Sequence, residues 1–156
     1  MYNFVFDADA LIKLAHSGSL NIICKTFQCV TTSEVKREVV DEGKKRLYSD
    51  AEIIEELIVS KALEVNEVSG DTSQRLGKGE MSVFSLSKKI KNSIVISDDR
   101  TFIKLLEREG IDFLTPSDVI ILLREIGKIT NKDKDKFANN IKSFVSEKEY
   151  KKIMEE

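Results

Sequence analysis

Two short unbroken apolar runs, Phe4-Val5-Phe6 and Ile94-Val95-Ile96, are each followed closely by aspartates: Asp7 and Asp9 after the first, Asp98 and Asp99 after the second. Runs of this length without polar alternation read as strands buried on both faces, as in a parallel sheet covered by helices. The same pattern predicts strands near 3–6, 28–31, 63–66, 94–97 and 112–114. Helical periodicity predicts helices over about 9–16, 19–26, 32–42, 47–60, 79–91, 100–109 and 116–127, with one or two more in the tail. Strands alternating with helices define an α/β domain with a parallel sheet.

Local signals set several helix starts. Thr115-Pro116-Ser117-Asp118 places a hydroxyl at an N-cap, proline at the first helical position and an acid in the first turn, and Gly127 ends that helix. Thr31-Thr32-Ser33-Glu34 has capping-box spacing, with Glu34 as its acid. In the tail, Phe137, Ile141, Phe144 and Val145 recur at helical spacing among charged residues, a stripe expected to pack on the body or on a second subunit.

Composition narrows the picture. The chain has 156 residues, 41% hydrophobic and 33% charged, which suits one folded domain rather than a disordered segment. No apolar stretch approaches the roughly 20 residues of a membrane span, and no signal peptide precedes the first strand, so a cytoplasmic location is expected. The formal charge of −2 argues against a broadly basic surface, although residues 127–156 hold eight Lys against six acids. Cys24, Cys29 and the lone His16 cannot complete a zinc site, so both thiols read as reduced and packed. A single His with no partner motif also argues against a serine or cysteine triad.

The acids carry the chemistry. In open α/β sheets ligands bind beyond the carboxyl ends of the strands, where Asp7, Asp9, Asp98 and Asp99 fall. Crowded carboxylates repel, and such a cluster implies a hard cation or a raised pKa put to use. Of the first pair, Asp9 opens the following helix and is the expected cap, leaving Asp7 as the site acid. One of Asp98 and Asp99 can cap the helix carrying Phe102, leaving the other free. Glu38 lies at the margin of the buried face marked by Val35 and Val39, where it can point inward. Glu80 follows Gly77 and Gly79, which suit a tight helix entry and close approach of another element.

In order, Val5-Phe6-Asp7-Ala8-Asp9-Ala10-Leu11-Ile12, Thr31-Thr32-Ser33-Glu34-Val35-Lys36-Arg37-Glu38-Val39, Gly77-Lys78-Gly79-Glu80 and Ser97-Asp98-Asp99-Arg100-Thr101-Phe102 resemble the PIN-domain nucleases. The resemblance implies a three-layer α/β/α fold with a central parallel sheet over residues 1–127. Residues 128–156 are then a charged helical extension, packed on the same domain or on a dimer partner. It implies an endoribonuclease dependent on Mg²⁺ or Mn²⁺, with Asp7, Glu38, Glu80, Asp98 and Asp99 as metal-binding and catalytic acids, Ser97 as an adjoining hydroxyl, and RNA as substrate. Arg100 and Lys36 or Arg37 are candidate phosphate contacts. Asp9 departs from the Ser, Thr or Asn commonly found at its position. The small single-domain form is similar to the toxin of a VapBC-type toxin–antitoxin pair, which implies an antitoxin protein as partner.

Two other readings compete. Phe6-Asp7-Ala8-Asp9 also resembles the D-x-D motif of haloacid-dehalogenase-like phosphatases, with Asp7 as nucleophile, but position 11 is Leu where a hydroxyl is expected and Glu38 and Glu80 are unexplained. The third reading is a PIN-like module that binds nucleic acid or a partner without cutting.

Overall fold

The structure, a computed structural model, describes residues 1–45, 49–68 and 76–155. In chain order its elements are β1 (Asn3–Phe6), α1 (Ala8–Ser17), α2 (Leu20–Thr26), β2 (Gln28–Thr32), α3 (Ser33–Lys36), a π-helical turn (Arg37–Asp41), α4 (Glu42–Lys45), α5 (Ser49–Val59), β3 (Leu63–Asn66), α6 (Lys78–Lys89), β4 (Ser93–Ile96), α7 (Arg100–Arg108), β5 (Phe113–Leu114), α8 (Pro116–Glu125), α9 (Asn131–Asn140) and α10 (Glu147–Glu155). The strands form one parallel sheet in the order β3-β2-β1-β4-β5, flanked by helices as a three-layer α/β/α fold. Asn3 pairs with Gln28 on one side and Ser93 on the other, and Phe6 lies beside Ile96.

This order places a topological switch between β1 and β4. From β1 the chain winds one way through β2 to β3, then crosses back and winds the other way through β4 to β5. The loops leaving β1 and β4 at their carboxyl ends therefore diverge, and a crevice opens between them. Asp7 and Ser97 are the first residues past those two strand ends. Fully buried Phe4, Phe6, Leu11, Leu14, Ile96, Phe102 and Leu106 form the packed base under the crevice, and Phe4 stacks on Phe27 at 4.4 Å between ring centroids.

The segment after β2 departs from the expected geometry in two ways. The cap of α3 is Thr32, one residue later than the capping-box spacing suggests: its hydroxyl accepts from the Val35 N–H at 3.1 Å and lies 2.7 Å from the Ser82 hydroxyl of α6. Thr31 instead donates to the Phe6 carbonyl at 2.8 Å, and Glu34 pairs with Arg37 rather than closing a box. Secondly, the expected continuous helix over 32–42 contains the π turn, in which the Glu42 N–H bonds to the Arg37 carbonyl. The extra residue lets Val35, Val39 and Val40 all face inward. The first two residues of the helix expected over 47–60 lie outside the described residues.

At the other end, Thr115 and Asp118 form the capping box of α8 with Pro116 at its first position, and Gly127 adopts the left-handed conformation beyond the last turn. The tail returns to the body. Phe137, Ala138, Ile141 and Ile153 are buried where α9 packs on α1 and α8 and where α10 packs on α8 and α9. Lys152 of α10 pairs with Asp118; burial alone would raise that carboxyl, but the bonds from Lys152 and Thr115 outweigh it and hold it below the usual range. Phe144 breaks the expected stripe and is 51% exposed, its ring meeting His16 edge-on. Cys24 and Cys29 are free buried thiols, and Cys24 together with burial pushes the Cys29 thiol well up. Among the described residues no helix is long and apolar enough to cross a membrane.

Because the Thr32 hydroxyl both caps α3 and ties it to α6, Thr32→Val is expected to cost about 1–2 kcal/mol while preserving volume. Urea unfolding at an unchanged m-value measures this. A midpoint equal to that of the parent would show that the two bonds contribute nothing.

Candidate metal centre

Asp7 is held from both sides. Its N–H bonds to the Ile96 carbonyl of β4 at 3.3 Å, so the residue extends β1 by one step before α1 begins. Its Oδ1 then accepts from the Ala10 N–H at 2.9 Å, making Asp7 the N-cap of α1. This corrects the expectation that Asp9 is the cap: Asp9 lies in the first turn, with no capping bond to make. The Asp7 side chain is 4% exposed, and burial pushes its carboxyl up to about 7. The neighbouring Asp9 and Asp98 add to the rise, while hydrogen bonds from Ser97 and Ala10 oppose it.

After β4 the two aspartates divide the work. Asp99 caps α7, its Oδ1 accepting from the Phe102 N–H at 2.9 Å, while its own N–H donates to the buried Ser97 hydroxyl at 3.2 Å. Asp98 is left for other contacts, and its Oδ2 lies 2.5 Å from the Lys13 ammonium. The Ser97 hydroxyl sits between Asp7 and the Asp99 backbone and orients the first of them.

Glu38 and Glu80 arrive from the other side. Glu38 projects from the π turn, half-buried, and its carboxyl is pushed above the usual range first by burial and then by Glu80, Glu42 and Asp9, against the pull of Arg37. It lies directly over Gly79: a Cβ at that position would stand 2.6 Å from Glu38 Oε1. The close approach expected of these glycines is therefore made by the second acid itself. Gly77 has the same relation to Glu80, whose Oε2 would be 2.9 Å from an added Cβ. Asp9 is the connecting member, because its charge acts on both Asp7 and Glu38. Negative charge thus runs from Asp98 through Asp7 and Asp9 to Glu38 and Glu80.

Among the described residues no three of these side chains lie close enough together to hold an ion as they stand. The donor set fits a hard divalent cation in kind: oxygen ligands only, one deeply buried, in a cradle with no room for a Cβ at Gly79. A cation already stands at one end of the run, since Lys13 neutralises Asp98. Lys13 is the site residue that the sequence reading missed. The available signal was its place one helical turn beyond Asp9, as the only Lys or Arg on α1. Arg37, considered as a phosphate contact, is occupied by Glu34 and Glu42 at 3.2 and 2.9 Å. A groove of about 610 Å³ adjoins the acids, lined by Asp9 and Glu38 together with the His16–Asp50 pair, Ile12 and Phe144.

The comparisons bear on the family and the fold. A family profile described as a PIN domain matches residues 3–156, including the tail. No curated protein matches the chain. PIN domains are a nuclease-type fold whose members bind nucleic acid and typically use divalent metals.

Two outcomes follow from the packing. Gly79→Ala is expected to leave the unfolding midpoint unchanged or raised, because alanine favours the helix and the obstructed atom is the mobile end of Glu38. It should nevertheless weaken Mn²⁺ binding by about tenfold by moving Glu38, a difference that calorimetry resolves. The second concerns pH. Asp7 has a folded pKa of about 7 against 3.8 unfolded, so between those values the folded chain holds a proton that the unfolded chain has lost. Stability without metal should therefore fall as pH rises from about 4 to 7 and then level off. Asp7→Asn retains the cap acceptor and abolishes the charge. In chelator it should gain on the order of 2–4 kcal/mol at pH 8 and close to nothing at pH 4, read by denaturant melts. An equal effect at both pH values would mean that Asp7 is not buried as a charge.

Proposed function

The chain belongs to the PIN-domain family, and on that premise we propose that it is a divalent-metal-dependent endoribonuclease whose centre is built from Asp7, Glu38, Glu80 and Asp98, with Asp99 supporting Asp98. The observation that carries this reading is the burial of Asp7 at the end of the central strand, within a continuous run of acids. A folded chain that burdens its central strand end in this way gains from a cation at the same place.

Bound Mg²⁺ or Mn²⁺ would supply positive charge for the phosphate oxygens and for the oxygen that leaves phosphorus. Asp7 and Asp98 would hold the ion, Asp7 being fixed by Ser97 and by its bond to Ala10. Glu38 and Glu80 orient the attacking water, and Glu38, with its raised pKa, takes the proton as the new oxygen–phosphorus bond forms. Lys13, beside Asp98, adds a fixed positive charge near the reacting phosphate. No imidazole is required. The phosphatase reading would need Asp7 as an accessible nucleophile, whereas one of its oxygens caps α1 and the side chain is buried.

A toxin role is part of the proposal. The groove beside the acids combines Asp9, Glu38, Glu42 and Asp50 with apolar Ile12 and Phe144, a surface that suits a basic, partly apolar segment of an inhibitory protein. Expression is then expected to arrest growth, and expression of Asp7→Asn to be tolerated.

In the direct assay, purified protein with Mn²⁺ or Mg²⁺ should cleave single-stranded RNA, and chelator should stop it. Asp7→Asn and Glu38→Gln should each lower the rate by roughly a hundredfold or more without loss of fold by circular dichroism. Cleavage unaffected by chelator or by Asp7→Asn would end this reading.

A further inference from the structure

Away from the acids, the two helices that carry them enclose a different surface. A groove of about 640 Å³ runs between α6 and α7, with Thr101, Lys104 and Arg108 on one wall and Met81, Phe84 and Leu105 forming an apolar floor. On α7, exposed Arg100, Lys104 and Arg108 fall one turn apart, and among the described residues none of them makes an ion pair. On the facing helix the Lys88 ammonium lies 4.9 Å from the centre of the Phe84 ring. The one acid within α7, Glu107, lines another groove with Tyr2.

We infer that this α6–α7 groove is a binding track for single-stranded RNA leading to the acidic centre. The inference rests on the nuclease reading and adds the route by which substrate reaches the site. α7 starts at the Asp99 cap and α6 carries Glu80 in its first turn, so both helices that wall the groove begin beside the centre. With about 1.5 Å of rise per residue, Lys104 and Arg108 stand about 8 and 14 Å along the axis from Asp99, and successive cations are about 6 Å apart. That interval is comparable to the separation of neighbouring phosphates along an extended strand. Cations along a rim with apolar side chains beneath match the needs of unpaired nucleotides, whose backbone is anionic and whose base faces are apolar. A duplex keeps its bases stacked inside and has no use for the floor. In a chain of net charge −2 the ridge also concentrates positive charge where the acidic centre itself repels a polyanion.

The test uses the full chain with Asp7→Asn, so that RNA is bound but not cut, and a fluorescent single-stranded oligoribonucleotide read by anisotropy. Lys104→Glu with Arg108→Glu should weaken binding at least tenfold at low salt. It should also reduce the slope of log affinity against log salt by about 1.4, the value for two lost phosphate contacts on a single strand. Lys25→Glu, exposed on α2, should change neither. Unchanged affinity and slope in the double variant, while the parent chain still cleaves RNA, would overturn the track and leave the nuclease reading intact. Duplex RNA competing as well as the single strand would overturn the single-strand assignment. Absence of both RNA binding and metal-dependent cleavage would remove the nuclease reading and the track together.

Discussion

The Asp7 carboxylate is buried at the end of the central strand, between a backbone bond to β4 and a capping bond to α1. Both bonds are needed to bring β1 out of the sheet and into the helix at that point. They leave a charge where water cannot solvate it, and Asp9 and Asp98 nearby make matters worse. The local geometry is therefore stable as backbone and costly as electrostatics. The parallel sheet, the switch point and the divergence of α1 from α7 all converge on this residue.

Structural and chemical duties are divided among the acids by their position relative to helix N-termini. Asp7 and Asp99 each satisfy an N–H at the start of a helix, which helps to fix their side chains. Asp98, next to Asp99, and Asp9, two residues past Asp7, are free of capping: Asp98 pairs with Lys13, and Asp9 lines a groove with Glu38. Ser97 links the two capping acids, accepting from the Asp99 N–H while bonding to the Asp7 carboxylate. The caps thus hold the site as much as they hold the helices. On the opposite side, the π turn and the absence of a Cβ at Gly79 admit Glu38 to the space above α6.

Charge is distributed unevenly around this centre. Lys13 offsets Asp98 within the crevice, and Arg37 is taken up by its helical neighbours, while the basic residues of α7 line up along a helix leading away from the acids. Acidic and basic residues are thus gathered on separate surfaces, an arrangement that the proposed function would require. The C-terminal helices contribute packing on α1 and α8, and the segment between α9 and α10 brings Phe144 to the rim of the acidic groove.

The strands, most helices and the family were legible in the linear pattern, because buried parallel strands and amphipathic helices depend on short-range periodicity that survives in any single sequence. Asp7 and the Asp98-Asp99 pair were nominated because acids at buried strand ends exceed what capping needs, whereas Glu38 and Glu80 were nominated by the family resemblance. Which acid capped which helix was not visible, since Asp7 and Asp9, or Asp98 and Asp99, satisfy the same local preference. The choice depends on where β4 and Ser97 lie. The one-residue shift from Thr31 to Thr32 follows from partners in β1 and α6, remote in sequence. Lys13 was hidden as an ordinary helix lysine until the fold brought Asp98, 85 positions away, against it. Local periodicity determined the elements, and strand ends and family resemblance nominated the acids. Long-range packing alone decided which of them are buried, which are neutralised and which face one another.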